Sequence, residues 1–237
     1  MFKRLKEEMY LPLIFTLAMN TIAYNGSRIW SSWRHHADMT LEIDRMTPVL
    51  SWTILIYLGS FLFWAINYVI GAQQDREEAY HLLSADIAAK VVCLIAFSIL
   101  PTTNVRPEIV NDGFFDWLLL LIYRIDAADN LFPSIHCLTS CFCFIAVRRN
   151  PKVPTWYKIT SFLIAIAIYI STLTTKQHVL VDVISGVALA EISYFIVGKT
   201  GFPKWYAAKM KSLSGKINEK ILSRVFKFQT TEQGEES

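Results

Sequence analysis

Residues 156–198 read WYKITSFLIAIAIYISTLTTKQHVLVDVISGVALAEISYFIVG. Two long apolar runs are separated only by a short polar turn around Lys176. A run of about 20 apolar residues is enough to cross a bilayer as a helix. The stretch therefore predicts two consecutive transmembrane helices, over 156–174 and 178–198, joined by a turn at one face of the membrane.

Similar apolar runs occur along the rest of the chain. The 237 residues are 53% hydrophobic and only 18% charged, with a mean hydropathy of +0.34. A typical soluble domain has about 25% charged residues. The sequence predicts an all-α, polytopic membrane protein that forms a single domain, with a short re-entrant or interfacial helix over 114–123. The six predicted transmembrane helices cover residues 11–31, 49–71, 84–101, 134–148, 156–174 and 178–198.

Lysine and arginine are unevenly distributed between the two sides of this topology. Most lie at the two termini, in the 72–83 and 148–155 loops, and in the tail after residue 198. Because positive residues favour the cytoplasmic side, we expect both termini in the cytoplasm and the 102–133 loop outside the cell. The sequence thus predicts an integral membrane protein, of the plasma membrane, whose external face carries the loop over 102–133. The basic residues on that external side are Arg34, Arg45, Arg106, Arg124 and Lys176.

The tail over 199–237 mixes lysines with apolar side chains such as Trp205 and Ile217. One interpretation is a basic amphipathic helix, over about 203–227, lying on the anionic inner leaflet. The other is a solvated tail, and the two are weighed equally.

His178 and Asp182 lie four residues apart at the start of the last predicted helix, so their side chains share one helix face. A carboxylate at this spacing accepts a hydrogen bond from one imidazole nitrogen and leaves the other free as a nucleophile. Ionisable groups are costly in membrane helices, which favours a functional role. The pair predicts a nucleophilic histidine with an orienting carboxylate.

The stretch Phe132-Pro-Ser-Ile-His136 precedes the fourth predicted helix. Proline suits the first turn of a helix, where its missing N–H costs nothing. The free N–H groups and the Ser134 hydroxyl then make the helix start a natural phosphate site. His136, in the same turn, is close enough to donate a proton. A polar helix cap with an interfacial histidine is the alternative, and the motif alone does not decide between them.

The predicted topology brings these side chains to one face of the membrane, and we expect the site to face outside the cell. The third and fifth helices end there, and the fourth and sixth helices begin there. Two histidines, a carboxylate and several cations beside a helix start suit phosphoryl transfer, because cations stabilise the charge of its transition state. The candidate residues at this face are Arg106, Ser134, His136, Lys176, His178 and Asp182.

These residues give the chain a resemblance to the type-2 phosphatidic acid phosphatase superfamily, which also includes vanadium haloperoxidases and is related to sphingolipid synthases. Its signatures are Lys-x6-Arg-Pro, Pro-Ser-x-His and Ser-Arg-x5-His-x3-Asp, and the likeness spans about residues 84–198. The matching residues are Arg106-Pro107 in the first, Pro133, Ser134 and His136 in the second, and Ser171, His178 and Asp182 in the third.

The resemblance implies a role for each matching residue. His178 would attack phosphorus and form a phosphohistidine, oriented by Asp182. His136 would protonate the leaving oxygen and then activate the water or alcohol that attacks the intermediate. Arg106 and Ser134 would hold the phosphate oxygens. The resemblance also implies a helical core with six transmembrane helices, and a reaction that needs no metal ion or other cofactor.

Two of the family's cations are missing from their usual places. Ile99 stands at the lysine position of the first signature and Thr172 at the arginine position of the third. We expect Lys176 to replace them as a phosphate-binding residue, with Arg124 as the second candidate. Lys90, in the third helix, is too far from the external face, and we expect it to pair with Asp86 or to extend towards the membrane surface.

Three functions are consistent with these residues. The first is a membrane lipid phosphatase that acts on a phospholipid or a polyprenyl phosphate. The second is a lipid phosphotransferase, like the sphingolipid synthases, that moves a phospho-head group to a lipid alcohol. The third is a non-catalytic scaffold or transporter. The bilayer and a lipid substrate are the expected partners, nucleic acid is not, and the oligomeric state is left open.

Overall fold

The computed structural model describes residues 5–217, and this part of the chain is mainly helical. The all-α class predicted from the sequence is confirmed, and each of the six predicted segments is helical. The elements are α1 Tyr10–Thr21, α2 Ser27–Ser31, β1 Ala37–Asp38, α3 Glu42–Met46, α4 Ile54–Ala72, α5 Arg76–Ile99, β2 Thr102–Thr103, α6 Phe114–Ile125, α7 Ile135–Arg148, α8 Thr155–Thr174, α9 Leu180–Gly198 and α10 over 202–217.

Four helices in residues 5–217 are long and apolar enough to cross a membrane. They span Ser51–Ala72, Arg76–Ile99, Thr155–Thr174 and Leu180–Gly198. Their outer faces carry large apolar side chains, such as Leu62, Leu163 and Phe195, that are more than half exposed. An apolar surface of this extent marks contact with lipid. The protein is therefore an integral membrane protein.

Helix α7 lies at the centre of the bundle. It packs against α4, α5, α8 and α9, and most of its 14 residues are buried. At about 1.5 Å per residue it is too short to cross the roughly 30 Å hydrocarbon core. Because other helices surround it, α7 tolerates the small and polar side chains Thr139, Ser140 and Cys143.

The first predicted helix is interrupted. A π-helical turn over Ile22–Gly26 separates α1 from α2, and all three parts pack on α5. Such turns are frequent at functional sites. Here the turn brings Tyr24 and Asn25 to a cavity at one end of the bundle.

Helix α5 begins eight residues before its predicted start, at Arg76 rather than at residue 84. Glu77 and Glu78 lie in its first turn, where the helix dipole favours acidic side chains. Further along, the Lys90 ammonium lies 2.7 Å from the Asp86 carboxylate, and both side chains are almost fully buried. The expected pairing is confirmed.

The loop over 102–133 contains the short helix expected near 114–123, which is α6. Before it, β1 and β2 form a small parallel ladder that ties residues 37–38 to residues 102–103. After it, the N–H groups of Leu131 and Phe132 both donate to the Thr102 hydroxyl. The loop is therefore held against the end of the bundle.

Helix α10 covers part of the predicted amphipathic tail. Tyr206 and Met210 are buried against Met9, Tyr80 and other residues at the end of the bundle opposite α6, whereas Trp205 is exposed. One face of this helix thus packs on protein, and the proposal that the rest lies on the membrane stays a prediction. The part of that prediction after residue 217 lies outside the described residues.

The first turns of α7 and α9 are in direct contact. The Ser134 N–H donates to the Asp182 carbonyl over 3.0 Å, and Gly186 faces the Ser134 backbone. A Cβ atom at Gly186 would overlap the Ser134 carbonyl oxygen. The glycine therefore permits the close approach of the two helices.

We predict that Gly186→Ala lowers the stability of the protein by about 1–3 kcal/mol, because the backbone at Ser134 has to move. Thermal unfolding of the purified protein in detergent measures this. Gly59→Ala is the matched control, because nothing lies near the added methyl group in α4. Equal melting temperatures for the two variants would contradict the prediction.

Candidate active site

A cavity of about 410 Å³ lies where the π-turn, α4, α6, the first turn of α7 and the turn before α9 meet. His136 and His178 both line it. The centroids of the two imidazole rings are 6.0 Å apart. The structure thus brings together the two histidines that the sequence places 42 positions apart.

His178 and Asp182 form the pair expected from their spacing. The Nδ1 atom of His178 lies 3.4 Å from Oδ2 of Asp182, and the same oxygen accepts the Val179 N–H over 3.0 Å. Asp182 is fully buried, and His178 is only 7% exposed. Because a carboxylate can only accept, the facing Nδ1 is the protonated nitrogen, which leaves Nε2 free.

His136 is enclosed by aromatic side chains of α4. Its ring stacks on Tyr57 with a centroid distance of 4.4 Å, and the rings of Phe61 and Trp64 lie within 6 Å. These three residues also line the cavity. The α4 wall therefore fixes the His136 ring beside His178 and excludes water from that side.

The Ser134 hydroxyl is the N-cap of α7 and accepts the Cys137 N–H over 3.2 Å. The residue is fully buried and is not among those that line the cavity. The structure thus gives Ser134 a structural role at the helix start and does not bring its hydroxyl to the cavity, where we expected it to hold phosphate.

Lys176 also lies away from the larger cavity. Its ammonium donates to the main-chain oxygens of Asp44 and Thr47, both over 2.6 Å, and its backbone has a positive φ of 53°. Burial lowers the pKa of this ammonium, and the Asp44 carboxylate opposes that shift. The residue borders a separate cavity of about 160 Å³, which His178 also touches. Lys176 therefore holds the 44–47 segment against the turn before α9.

Arg106 lies one layer behind the cavity. Its guanidinium donates to the main-chain oxygens of Asp126 and Tyr123, and over 2.7 Å to the side-chain oxygen of Gln177. Gln177 lines the cavity next to His178. Arg106 therefore reaches the site through another side chain and not directly.

The charge around the cavity differs from the sequence expectation. Within residues 5–217, no lysine or arginine lines it, whereas Asp126 and Asp129 do. Asp129 accepts three hydrogen bonds from Arg28, and Asp126 accepts the Tyr24 hydroxyl. Arg28 thus compensates part of the negative charge from outside the cavity.

Several buried polar atoms around the two histidines have no partner within the described part of the chain. They include Nε2 of His136, Oδ1 of Asp182, Nε2 of Gln177 and Nε of Arg106. Buried polar groups are usually satisfied, so a cluster of exceptions points to a bound molecule. Sequence reasoning missed Gln177, Tyr57, Asp126 and Asp129. The only signal for Gln177 was its position directly before His178.

Residues 28–196 match the family model of the PAP2 superfamily. The match covers more than half of the chain, and the protein belongs to this superfamily. The members are generally phosphatase-type enzymes, so the family supports an activity on lipid phosphates. No curated protein and no solved structure matches the chain.

We predict that Lys176→Met lowers stability by about 1–3 kcal/mol and leaves the affinity for orthovanadate, an analogue of phosphate, within about twofold of wild type. The reason is that the ammonium hydrogen bonds stabilise the fold and do not reach the cavity. Thermal unfolding and titration calorimetry on the same sample measure the two effects. A large loss of affinity with unchanged stability would restore Lys176 as a phosphate-binding residue.

Proposed function

We propose that the protein is a membrane lipid phosphatase that acts through a phosphohistidine at His178. The observation that carries this proposal is the pair of imidazole rings 6.0 Å apart on one cavity, with the Asp182 carboxylate behind one of them. That arrangement provides a nucleophile, its orienting group and a second group that transfers protons.

In the first step, Nε2 of His178 attacks phosphorus and the bond from phosphorus to the lipid oxygen breaks. Burial lowers the pKa of His136, and the negative charge of the bound phosphate counteracts that shift. His136 therefore takes up a proton together with the substrate and gives it to that oxygen, and the lipid alcohol leaves. The Asp182 carboxylate accepts a hydrogen bond from the Nδ1–H group of His178 and stabilises the positive charge on the ring. In the second step, neutral His136 takes a proton from water, the water oxygen bonds to phosphorus, and the bond to His178 breaks. Inorganic phosphate leaves, and both histidines return to their starting state.

A lipid substrate fits the position of the cavity. Phe61 and Ile125 line it and are also more than half exposed on the surface of the bundle. An acyl or prenyl chain can therefore remain in the membrane while its phosphate reaches the histidines. Phosphatidic acid, phosphatidylglycerophosphate and a polyprenyl pyrophosphate are the candidate substrates.

We predict that His178→Ala reduces phosphate release from the best of these candidate substrates by at least about 1000-fold, because the nucleophile is lost. The assay uses purified protein with a chelator present, since the proposed steps need no metal ion. His81→Ala is the matched control, because His81 stacks on Tyr194 at a distance from the cavity. Full activity of His178→Ala would refute the proposal.

A second candidate is a lipid phosphotransferase. The cavity lining described above has two carboxylates and no cation, so it suits a phosphodiester with one negative charge better than a phosphomonoester with two. Its aromatic wall also favours a lipid alcohol over water as the acceptor. The first step then leaves a phospho-head group on His178, and His136 takes the proton from the attacking alcohol.

An assay with mixed phospholipids and lipid alcohols, followed by mass spectrometry of the lipid products, distinguishes the two functions. A phosphotransferase yields a new head-group lipid in proportion to the lipid alcohol released. Exclusive formation of free phosphate would exclude it. Acid-labile labelling of His178 during turnover, in either case, excludes a non-catalytic scaffold.

We further propose that the protein lies in the plasma membrane with both termini in the cytoplasm and the cavity at the outer face. The support is that most lysines and arginines lie on the same side as the two termini, because basic residues favour the cytoplasmic side of a membrane. Protease protection of tags on the two termini, in intact cells and in permeabilised cells, tests this orientation. Digestion of either tag in intact cells would contradict it.

A further inference from the structure

Gln177 occupies the last position before the proposed nucleophile. The N–H groups of Gln177 and His178 both donate to the Thr172 carbonyl, over 3.0 and 3.1 Å. These bonds cap α8 and hold both residues in one rigid turn. Gln177 is only 2% exposed and lines the same cavity as His178. Its side chain is therefore buried at the same cavity as the proposed nucleophile.

The hydrogen bond from Arg106 determines which way the Gln177 amide points. A guanidinium can only donate, so the atom that faces it must be the amide oxygen. The amide nitrogen, Nε2, is then directed away from Arg106. This nitrogen is buried and has no partner within residues 5–217. A buried amide donor without a partner is costly unless a ligand accepts its hydrogen.

Arg106 strengthens this donor. No carboxylate pairs with its guanidinium in the part of the chain that the structure describes. The guanidinium lies over the Tyr123 ring, 4.5 Å from its centroid, and donates to main-chain oxygens. Its positive charge is therefore not cancelled by an ion pair and polarises the Gln177 amide.

We propose that Nε2 of Gln177 donates to a non-bridging oxygen of the phosphate, and that Arg106 is a positioning residue that acts through it. This rests on the proposed function, because it needs a phosphate at His178. A polarised amide then supplies a phosphate contact in place of the cations that are missing at Ile99 and Thr172. A donor that is fixed before the reaction stabilises the developing charge without reorganisation, and one such donor commonly contributes a factor of about 100–1000 in rate.

A purely structural role for Gln177 makes a different prediction. In that case the side chain only accepts the Arg106 hydrogen bond and ties the loop over 102–126 to the turn before α9. Gln177→Glu would keep that acceptor, and the new ion pair with Arg106 would maintain or raise stability. Binding of a phosphate analogue would then change little. The proposal instead requires binding to fall, because a carboxylate cannot donate.

The experiment titrates orthovanadate into the purified full-length protein in detergent and measures the dissociation constant by calorimetry. Thermal unfolding of the same samples checks that each variant is folded. We expect Gln177→Met to weaken vanadate binding by about 10- to 100-fold, from the loss of one hydrogen bond to a charged group. Gln177→Glu weakens it at least as much while retaining the wild-type melting temperature. Gln74→Met is the matched control, because Gln74 donates to main-chain oxygens of Gly71 and Ala146 at the other end of the bundle.

Wild-type affinity in both Gln177 variants would overturn the proposal while leaving the proposed function intact. Equal vanadate binding by wild type and His178→Ala, or no binding by wild type, would instead refute the proposed function and this inference with it. The two failures are therefore distinguishable.

The role of Arg106 follows from a double-mutant cycle. If Arg106 acts through Gln177, then Arg106→Met weakens vanadate binding in the wild-type background. In the Gln177→Met background the same substitution weakens binding further by less than about threefold. Arg106→Lys keeps a donor and a positive charge, and we expect it to recover part of the affinity. Additive effects of the two substitutions would show that Arg106 acts independently.

Discussion

Asp182 accepts hydrogen bonds through both its main chain and its side chain. These hydrogen bonds join the two motifs of the site, the one that contains His136 and the one that contains His178. Its carbonyl accepts the Ser134 N–H and so fixes the start of α7 on α9. Its carboxylate accepts from Val179 and faces His178, which fixes the ring of the proposed nucleophile. Gly186 makes this possible by leaving room for the Ser134 backbone. Because one residue bonds to both motifs, it fixes the start of α7 and the ring of His178 relative to each other.

The site lies at the end of a bundle whose central helix is protected from lipid on most sides. Burial of α7 allows a polar helix start inside an apolar protein, since the other helices supply its partners. The positive charges stay outside the cavity, with Arg106 behind Gln177 and Arg28 behind Asp129. The cavity itself is thus lined by carboxylates and by an aromatic wall on α4, and the positive charges act on it from behind these residues.

The sequence was sufficient wherever function depends on local spacing. The His178–Asp182 pair needs only four positions of sequence at the start of α9, although His178 itself lies in the turn before the helix and not on its face. The apolar runs needed only their length and composition to predict an all-α membrane protein. The direction of long polar side chains depended instead on distant parts of the chain. Lys176 reaches carbonyl oxygens of Asp44 and Thr47, which lie more than 120 positions earlier, and no local pattern indicates this.

Other parts of the site were missed for the same reason. Tyr57 reads as one more aromatic residue in an apolar helix until α4 is placed against His136. Gln177 reads as a turn residue until Arg106 lies beside it. Helix α5 began earlier than expected because charged residues at a helix start resemble a loop in a hydropathy pattern, although the helix dipole stabilises them there.

The buried pair of Asp86 and Lys90 has a consequence for how the chain enters the membrane during synthesis. Each charge alone costs about 2.5–3.5 kcal/mol at the centre of an inserting helix. The two residues are one helical turn apart on α5, so their ion pair forms within one helix and needs no partner from another helix. The segment can therefore leave the translocation machinery as a neutral unit. The first helix, which is synthesised before α5, then packs on it, and its Thr16 carbonyl accepts a further hydrogen bond from the Lys90 ammonium.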